Sequence, residues 1–218
     1  MTRGLAADLG KNLDCQLLTV PIGDFIDETA DALEGLPLPD DTVHLTGFMK
    51  ENMQARDRSS RILAALSAAF GGIFTCNANK TETTVGYGTL YGDLAGAFAA
   101  TADLWKYQIY DLGRKLNAWY GRAVIPEGIF TVMPSAELSE NQDVTQGKGD
   151  PLIYEYHDYL FRSFIEPWQR QTPEDILKAY AKGNLEDLIG CSIIVSNIFP
   201  TAKDFIEDLE KWWNVFSA

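Results

Sequence analysis

Residues 73–93 read Ile73-Phe74-Thr75-Cys76-Asn77-Ala78-Asn79-Lys80-Thr81-Glu82-Thr83-Thr84-Val85-Gly86-Tyr87-Gly88-Thr89-Leu90-Tyr91-Gly92-Asp93. The first four form a short apolar run behind Gly71-Gly72, and predict a buried strand that delivers the chain into an asparagine-rich turn. Upstream, Gln16-Leu17-Leu18-Thr19-Val20-Pro21-Ile22 is a second run of this kind, preceded by a small helix over residues 3–12. Between the two runs, the acidic segment 24–34 predicts one helix. The segment 48–70 predicts another, with Ile62, Leu63, Leu66 and Phe70 at helical spacing. The turn Leu36-Pro37-Leu38-Pro39-Asp40 separates them. Strands alternating with helices predict an α/β domain with a reduced parallel sheet and a large helical share.

Downstream, the Ala-, Leu- and aromatic-rich stretch from Leu94 to about Tyr120 predicts one long helix or two abutting ones, with Gly96 and Gly113 as its weak points. Residues 134–151, polar and bounded by Pro134 and Pro151, predict a long mobile loop. The part from 152 to 218 reads as helical. Thr172-Pro173-Glu174-Asp175 and Thr201-Ala202-Lys203-Asp204 supply helix starts, and Phe205, Ile206, Leu209, Trp212, Trp213 and Phe216 recur on one face of the last helix. The 218 residues read as one domain. Its two edges read as cut: the last helix ends in an apolar stripe with nothing after it, and the first strand lacks upstream neighbours.

Composition narrows the function. A net charge of -13, from 31 acidic against 18 basic side chains, argues against a nucleic-acid surface, which needs clustered Lys and Arg. Cys15, Cys76 and Cys191 are odd in number and widely spaced, so neither a disulfide framework nor a CxxC metal knuckle fits, and a cytoplasmic setting suits them. No apolar stretch is long enough to span a bilayer. That His44 and His157 are the only histidines argues against a multi-histidine zinc site.

In an open α/β sheet, ligands bind beyond the carboxyl ends of the strands, which is where residues 77–93 fall. Gly86, Gly88 and Gly92 interleave with Tyr87, Thr89 and Tyr91, permitting close backbone approach while offering hydroxyls and ring faces. On residue types alone this is either a ligand loop or an ordinary glycine-rich surface loop, since no GxxxxGK[ST] fingerprint is present. Arg56 sits in a polar helix start, facing a crevice or simply solvated. Glu82 and Lys106 taken singly read equally well as surface ion-pair partners. Asp93 reads equally well as the cap of a following helix.

Five blocks resemble the NAD synthetase family in order and spacing. Asn79-Lys80-Thr81-Glu82 is similar to its TGNKSE stretch, Gly86 to Asp93 to its GYxTLYGD, and Asp103-Leu104-Trp105-Lys106 to its DxxK. Glu51-Asn52-Met53-Gln54-Ala55-Arg56-Asp57-Arg58 resembles its ENxQARxR helix start, and Pro134-Ser135-Ala136-Glu137-Leu138 its PSAEL loop. The resemblance implies a Rossmann-like, adenine nucleotide alpha hydrolase-like domain that lacks its first strands. It also implies a ligase reaction in which ATP adenylates the nicotinate carboxylate of deamido-NAD and ammonia then displaces AMP to give NAD. By the same resemblance, Asn52, Arg56, Glu82, Tyr87, Thr89 and Leu90 contact deamido-NAD; Asn77, Lys106 and Ser135 contact ATP; Glu82 holds Mg²⁺; Asp93 and Lys106 act in catalysis. The anions brought together in such a step do require a divalent cation and a cationic side chain.

Leu90 and Ala97 agree with the glutamine-dependent branch, where the ammonia-dependent branch has Lys and Asp. That branch implies a glutamine amidohydrolase domain as partner, and a homo-oligomer. Asn77 departs from the pattern, standing where the family has a Thr that touches ATP. The family's Ser-Gly-Gly-x-Asp-Ser pyrophosphate loop and its Lys-Arg pair beyond the region of Trp212-Trp213 do not occur in these residues. The chain is thus read as part of a synthetase domain whose isolated turnover is at background. A non-catalytic dimerising module built on the aromatic helices around Tyr107, Tyr110, Trp119 and Trp212 is the alternative, and a GMP synthetase fits the motif spacing less well.

Overall fold

A computed structural model describes residues 2–135 and 149–218. Of the expected mobile loop at 134–151, residues 136–148 lie outside the described residues. The helices in chain order are α1 (Thr2–Asn12), α2 (Gly23–Leu33), α3 (Gly47–Arg56), a π-helical turn (Asp57–Leu63), α4 (Ala64–Phe70), α5 (Lys80–Thr84), α6 (Lys106–Tyr120), α7 (Glu127–Thr131), α8 (Tyr154–Ile165), α9 (Pro173–Lys182), α10 (Leu185–Ile189), α11 (Val195–Ile198) and α12 (Ala202–Ser217). They belong to two compact units. Unit 1 comprises the described residues of Met1–Ala78, Gly88–Ala100 and Tyr110–Asp150; unit 2 comprises Asn79–Tyr87, Thr101–Ile109 and Pro151–Ala218.

In unit 1, the helix expected at 48–70 runs without interruption from Gly47 to Phe70 through the π-helical turn. The Thr46 hydroxyl starts it by accepting from the Met49 N–H, and Gly71 stops it at φ 64°, a left-handed conformation that favours glycine. Within the π-helical turn, the Arg61 guanidinium donates twice to the Asp57 carboxylate, at 2.5 and 2.7 Å. Helix α6 packs on α7 through Gly113, where a Cβ would stand 2.7 Å from the Phe130 ring.

The expected strands are not formed: the described residues contain no β-strand, only isolated bridges. Residues 73–76 are extended and make one parallel bridge, Thr75 to Phe98, with Cys76 N–H donating to Phe98 O (2.9 Å) and Ala97 N–H to Phe74 O (3.0 Å). Residues 16–22 have no regular secondary structure, and Leu17, Leu18 and Val20 are exposed, as is Ile73. The physical reason is that an apolar run becomes a strand only where a neighbouring segment supplies inter-strand hydrogen bonds, and here one short segment does so at one register position. That neighbour is itself a correction. Residues 94–105, expected to be helical, are turns and irregular chain with a bridge at Phe98, because Gly96 adopts φ 150° and lies against the Thr75–Cys76 peptide.

Unit 2 holds the well-formed core. Leu160, Phe161 and Phe164 of α8, Ile176 of α9, Ile189 of α10, and Phe205, Leu209 and Trp212 of α12 are buried together. Each such side chain contributes about 1.5–3 kcal/mol relative to exposure. Of the α12 stripe, Phe205, Leu209 and Trp212 are therefore buried, Trp213 and Phe216 are partly buried against them, and Ile206 is exposed. Capping boxes at Thr172–Asp175 and Thr201–Asp204 start α9 and α12 as the sequence predicts. A buried histidine packs against this core. His157 is fully buried, accepts the Ile153 N–H on Nδ1 (2.8 Å) and therefore presents its Nε2–H to Asp208 Oδ2 (3.0 Å). Its ring stacks on Phe161 and meets Trp212 edge-on.

Candidate functional site

The residues singled out by sequence fall into two constellations, one in each unit. In unit 1, one helical face reads the backbone of the glycine loop. Asn52, Arg56 and Ser60 recur at four-residue spacing on α3 and the π-helical turn. Asn52 Oδ1 accepts from the Thr89 hydroxyl (2.9 Å), Arg56 Nε donates to Leu90 O (3.2 Å), and Ser60 Oγ donates to Tyr91 O (3.0 Å). Gly92 is required where it is: a Cβ there would stand 3.0 Å from the Ala55 carbonyl carbon and 2.9 Å from the Thr89 side chain. Asp93 closes the loop by accepting the Thr89 N–H at 2.9 Å, and its backbone carbonyl accepts from the Cys76 thiol. No helix begins at Asp93, which lies in a turn, so its capping alternative is not realised; it caps the loop that precedes it.

Two further residues of this unit were expected to touch ATP. Asn77 is exposed, and its amide oxygen accepts from the Thr75 hydroxyl (3.0 Å), which turns that group back on its own chain. Ser135 is half-buried at the end of a described segment fixed by the Asp150 N–H donating to Pro134 O (2.9 Å).

In unit 2, Asn79 and Glu82 form a capping box. Asn79 Oδ1 accepts the Glu82 N–H (3.0 Å), and Glu82 Oε2 accepts the Asn79 N–H (2.9 Å). The other carboxylate oxygen, Oε1, accepts from the Tyr154 hydroxyl at 3.2 Å. The ring of that tyrosine lies beneath Lys106, whose Nζ is 5.0 Å from the centroid. Tyr154, on α8, thus touches both the acidic and the basic residue singled out in this unit. Tyr87 ends the α5 turn by donating its N–H to Glu82 O (2.8 Å).

Sequence reading missed Tyr154, and it missed the two residues that fix α5. Lys80, inside the motif, bridges the exposed Asp103 and the buried Glu166 at 3.0 Å each and lies over the Trp105 ring. Burial works to lower its pKa, but its two carboxylate partners outweigh that and raise it. Asp158 is fully buried, accepts the Thr81 hydroxyl (2.5 Å) and the Tyr107 N–H (2.8 Å), and is pushed up to about 6 by burial. A signal for both α8 residues exists in the sequence: Tyr154 and Asp158 stand four apart on a helix whose inward face also carries Leu160, Phe161 and Phe164, so a carboxylate there demands internal partners.

Solved structures give the class first. The chain matches the glutamine-dependent NAD+ synthetase of Acinetobacter baumannii, solved in complex with ADP, at TM-score 0.52 and 27% identity, over 87% of this chain and 31% of that one. It shares the fold of a glutamine-dependent NAD(+) synthetase from Cytophaga hutchinsonii at TM-score 0.67 and 17% identity, over 99% of this chain and 31% of that one. In sequence, it is 39% identical over 174 residues to the glutamine-dependent NAD(+) synthetase of Thermotoga maritima, covering 78% of this chain and 28% of the relative. The family model for NAD synthase matches residues 3–189, and the chain belongs to that family. It spans about a third or less of the length of the curated relatives it matches.

Proposed function

We propose that this chain is part of an ATP-dependent ligase that amidates deamido-NAD to NAD, within a reduced adenine nucleotide alpha hydrolase-like domain. The observation that carries this reading is the joint hold of Tyr154 on Glu82 and Lys106, a carboxylate and an ammonium disposed around one side chain in unit 2. Adenylyl transfer to a carboxylate brings anions together, which calls for a cationic side chain and a carboxylate to hold a divalent cation. In the first step a carboxylate oxygen of deamido-NAD attacks the α-phosphorus of ATP, the bond to the bridging oxygen breaks, and pyrophosphate leaves with the electron pair. Lys106 neutralises charge on the phosphate oxygens. In the second, the nitrogen of ammonia attacks the acyl carbon, the bond to AMP breaks, and the proton lost from nitrogen is taken by Asp93. Asn52, Arg56, Tyr87, Thr89 and Leu90 serve deamido-NAD, and Asn77 and Ser135 serve ATP.

Mg²⁺ fits the residues present in one mode. Such an ion would be held by one or two carboxylates, with phosphate oxygens and water as its other ligands. Among the described residues no group of three or more His, Cys, Asp or Glu forms a protein cage. Glu82, with Oε2 committed to the Asn79 N–H and the Oε1 edge turned toward Tyr154, supplies a single carboxylate, and the ion would neutralise the phosphates. Ammonia from a glutamine amidohydrolase partner, and assembly as a homo-oligomer, complete the proposal.

Calorimetric titration of the 218-residue chain with MgATP and with deamido-NAD is the test. Lys106→Ala should weaken MgATP, and Arg56→Ala should weaken deamido-NAD, each by about 10–100-fold for the loss of a charged hydrogen-bonding group. A wild-type chain that binds neither ligand at millimolar concentration refutes the proposal. If that chain also scatters light as a dimer, the non-catalytic module replaces it.

A further inference from the structure

Glu82 and Lys106 lie on different helices, and neither α5 nor the start of α6 is long-lived by itself. Helix α5 has five residues, far below the length at which a helix persists alone. The start of α6 receives part of its capping from outside: Trp105 N–H finds Gln108 Oε1 (3.0 Å), but the next two amides are satisfied from elsewhere in unit 2. Lys106 N–H donates to the Thr81 hydroxyl oxygen (3.3 Å), and Tyr107 N–H donates to Asp158 Oδ2 (2.8 Å). The Thr81 hydroxyl in turn donates to Asp158 Oδ1 (2.5 Å). One carboxylate on α8 therefore pins the residue before Glu82 and the residue after Lys106. The same segments are joined twice more, by Lys80 N–H to Leu104 O (2.9 Å) and by Lys80 Nζ to Asp103 and Glu166.

We propose, resting on the ligase reading above, that Asp158 is a positioning residue: through Thr81 and the first amides of α6 it sets the separation of Glu82 and Lys106. A carboxylate suits the place because it meets two donors with two acceptors and brings no hydrogen of its own. An amide would set its NH₂ against either the Tyr107 N–H or the Thr81 hydroxyl proton, so one bond of the bracket must be lost or reversed. The N-terminus of α6 also favours negative charge. Burial raises the carboxyl to about 6, while the Thr81 hydroxyl, the Tyr107 N–H and Lys106 oppose that rise, so the group is ionised at neutral pH in spite of its burial. Groups that orient a ligand without touching the substrate commonly change affinity by 10–100-fold when altered.

The experiment measures MgATP affinity by calorimetry, together with thermal unfolding and amide exchange at Tyr107, for the wild-type chain, Asp158→Asn, Thr81→Val and Thr81→Ser. Asp158→Asn and Thr81→Val should weaken MgATP by about 10–100-fold with cooperative unfolding retained, and Tyr107 should exchange faster in Asp158→Asn. Thr81→Ser, which keeps the hydroxyl, should stay within about twofold of wild type. MgATP affinity unchanged in both Asp158→Asn and Thr81→Val overturns the positioning role and leaves the ligase reading standing. Loss of folding in both variants also overturns it, making Asp158 a stability element alone. A wild-type chain without MgATP affinity brings down the ligase reading, and with it this inference.

Discussion

Gly96→Ala is a costly substitution in unit 1. Gly96 adopts φ 150°, a backbone region reserved for glycine, and a Cβ there would stand 2.3 Å from Cys76 N and 2.6 Å from the Thr75 carbonyl carbon. Both are backbone atoms, so no rotamer change relieves the clash. Accommodating a methyl requires the 73–76 and 96–98 segments to part by about 1 Å, given ordinary contact distances of ~3.5 Å. That movement stretches the two hydrogen bonds flanking the bridge, Cys76 N–H to Phe98 O and Ala97 N–H to Phe74 O. Backbone strain costs about 1–3 kcal/mol, and two weakened hydrogen bonds add about 0.5–1.5 kcal/mol each. An expected loss of about 3 kcal/mol corresponds to roughly 100-fold faster exchange of the Cys76 and Ala97 amides, because 1.4 kcal/mol is a factor of ten. Gly72→Ala is the control: nothing lies within 4 Å of its added Cβ and its φ is unremarkable, so exchange at those amides should not rise. Exchange in Gly96→Ala within threefold of wild type would refute the close-approach argument.

The remaining predictions concern unit 2. Asp158 has a folded-state pKa raised from 3.8 to about 6, so the folded chain holds this proton more tightly than the unfolded one; the group's stabilising contribution is complete below about pH 3.8 and is lost as pH rises through about 6. Urea denaturation at pH 4 and pH 7.5 should therefore show the stability difference between wild type and Asp158→Asn shifting toward the variant by about 2–3 kcal/mol, and a pH-independent difference would contradict the burial of the charge. Lys80→Met leaves Glu166 without its lysine and should cost about 1–3 kcal/mol by thermal melting. Lys203→Met, which breaks an exposed pair with Glu207, should cost under about 0.5 kcal/mol by the same measurement; equal losses would show that burial does not distinguish the two pairs. Glu82→Gln should melt within about 1 kcal/mol of wild type yet lose Mg²⁺-dependent ATP affinity, since the amide oxygen can still accept the Asn79 N–H but the anionic edge is gone; retained affinity in titration would remove Glu82 from the metal assignment.

Helices were legible because their signals are local. Thr172 and Thr201 cap within three residues, Gly71 stops its helix in place, and the stripe of Phe205, Leu209 and Trp212 carries its period in the chain itself. The strands were not legible because a ladder is a relation between segments: Ile73 to Cys76 has the composition of a strand, and what decides its state is the single bridge that Phe98 offers. The Ala-rich stretch 94–105 misleads for the complementary reason. Its composition favours helix, but Gly96 is needed for an approach to a backbone twenty residues upstream, and that requirement overrides propensity. Asn79-x-x-Glu82 carries a readable capping signature that marks α5, although only a turn was expected there. Of the functional candidates, Asn52, Arg56, Thr89, Leu90 and Asp93 are brought together in unit 1, and Glu82 and Lys106 are linked by Tyr154 in unit 2.

The residues that the motifs mark as chemical also build the local structure that presents them. Glu82 is the N3 residue of a capping box before it is anything else, and Asp93 holds the Thr89 amide through its own carboxylate. Thr89 and Arg56 fasten the glycine loop to α3 with the groups a ligand would need. Alanine at any of these positions thus removes a structural bond together with a functional group, and a loss of activity cannot by itself separate the two. Isosteric changes can. Gln for Glu82 preserves an acceptor while removing the charge, Asn for Asp158 preserves the volume while turning one acceptor into a donor, and Ser for Thr81 preserves the hydroxyl while removing a methyl. Each alters one property of a group that has two duties, so stability and ligand affinity respond separately. In a short helix such as α5, fixed almost entirely by contacts from α8 and the start of α6, that separation is what tells a positioning residue from a merely stabilising one.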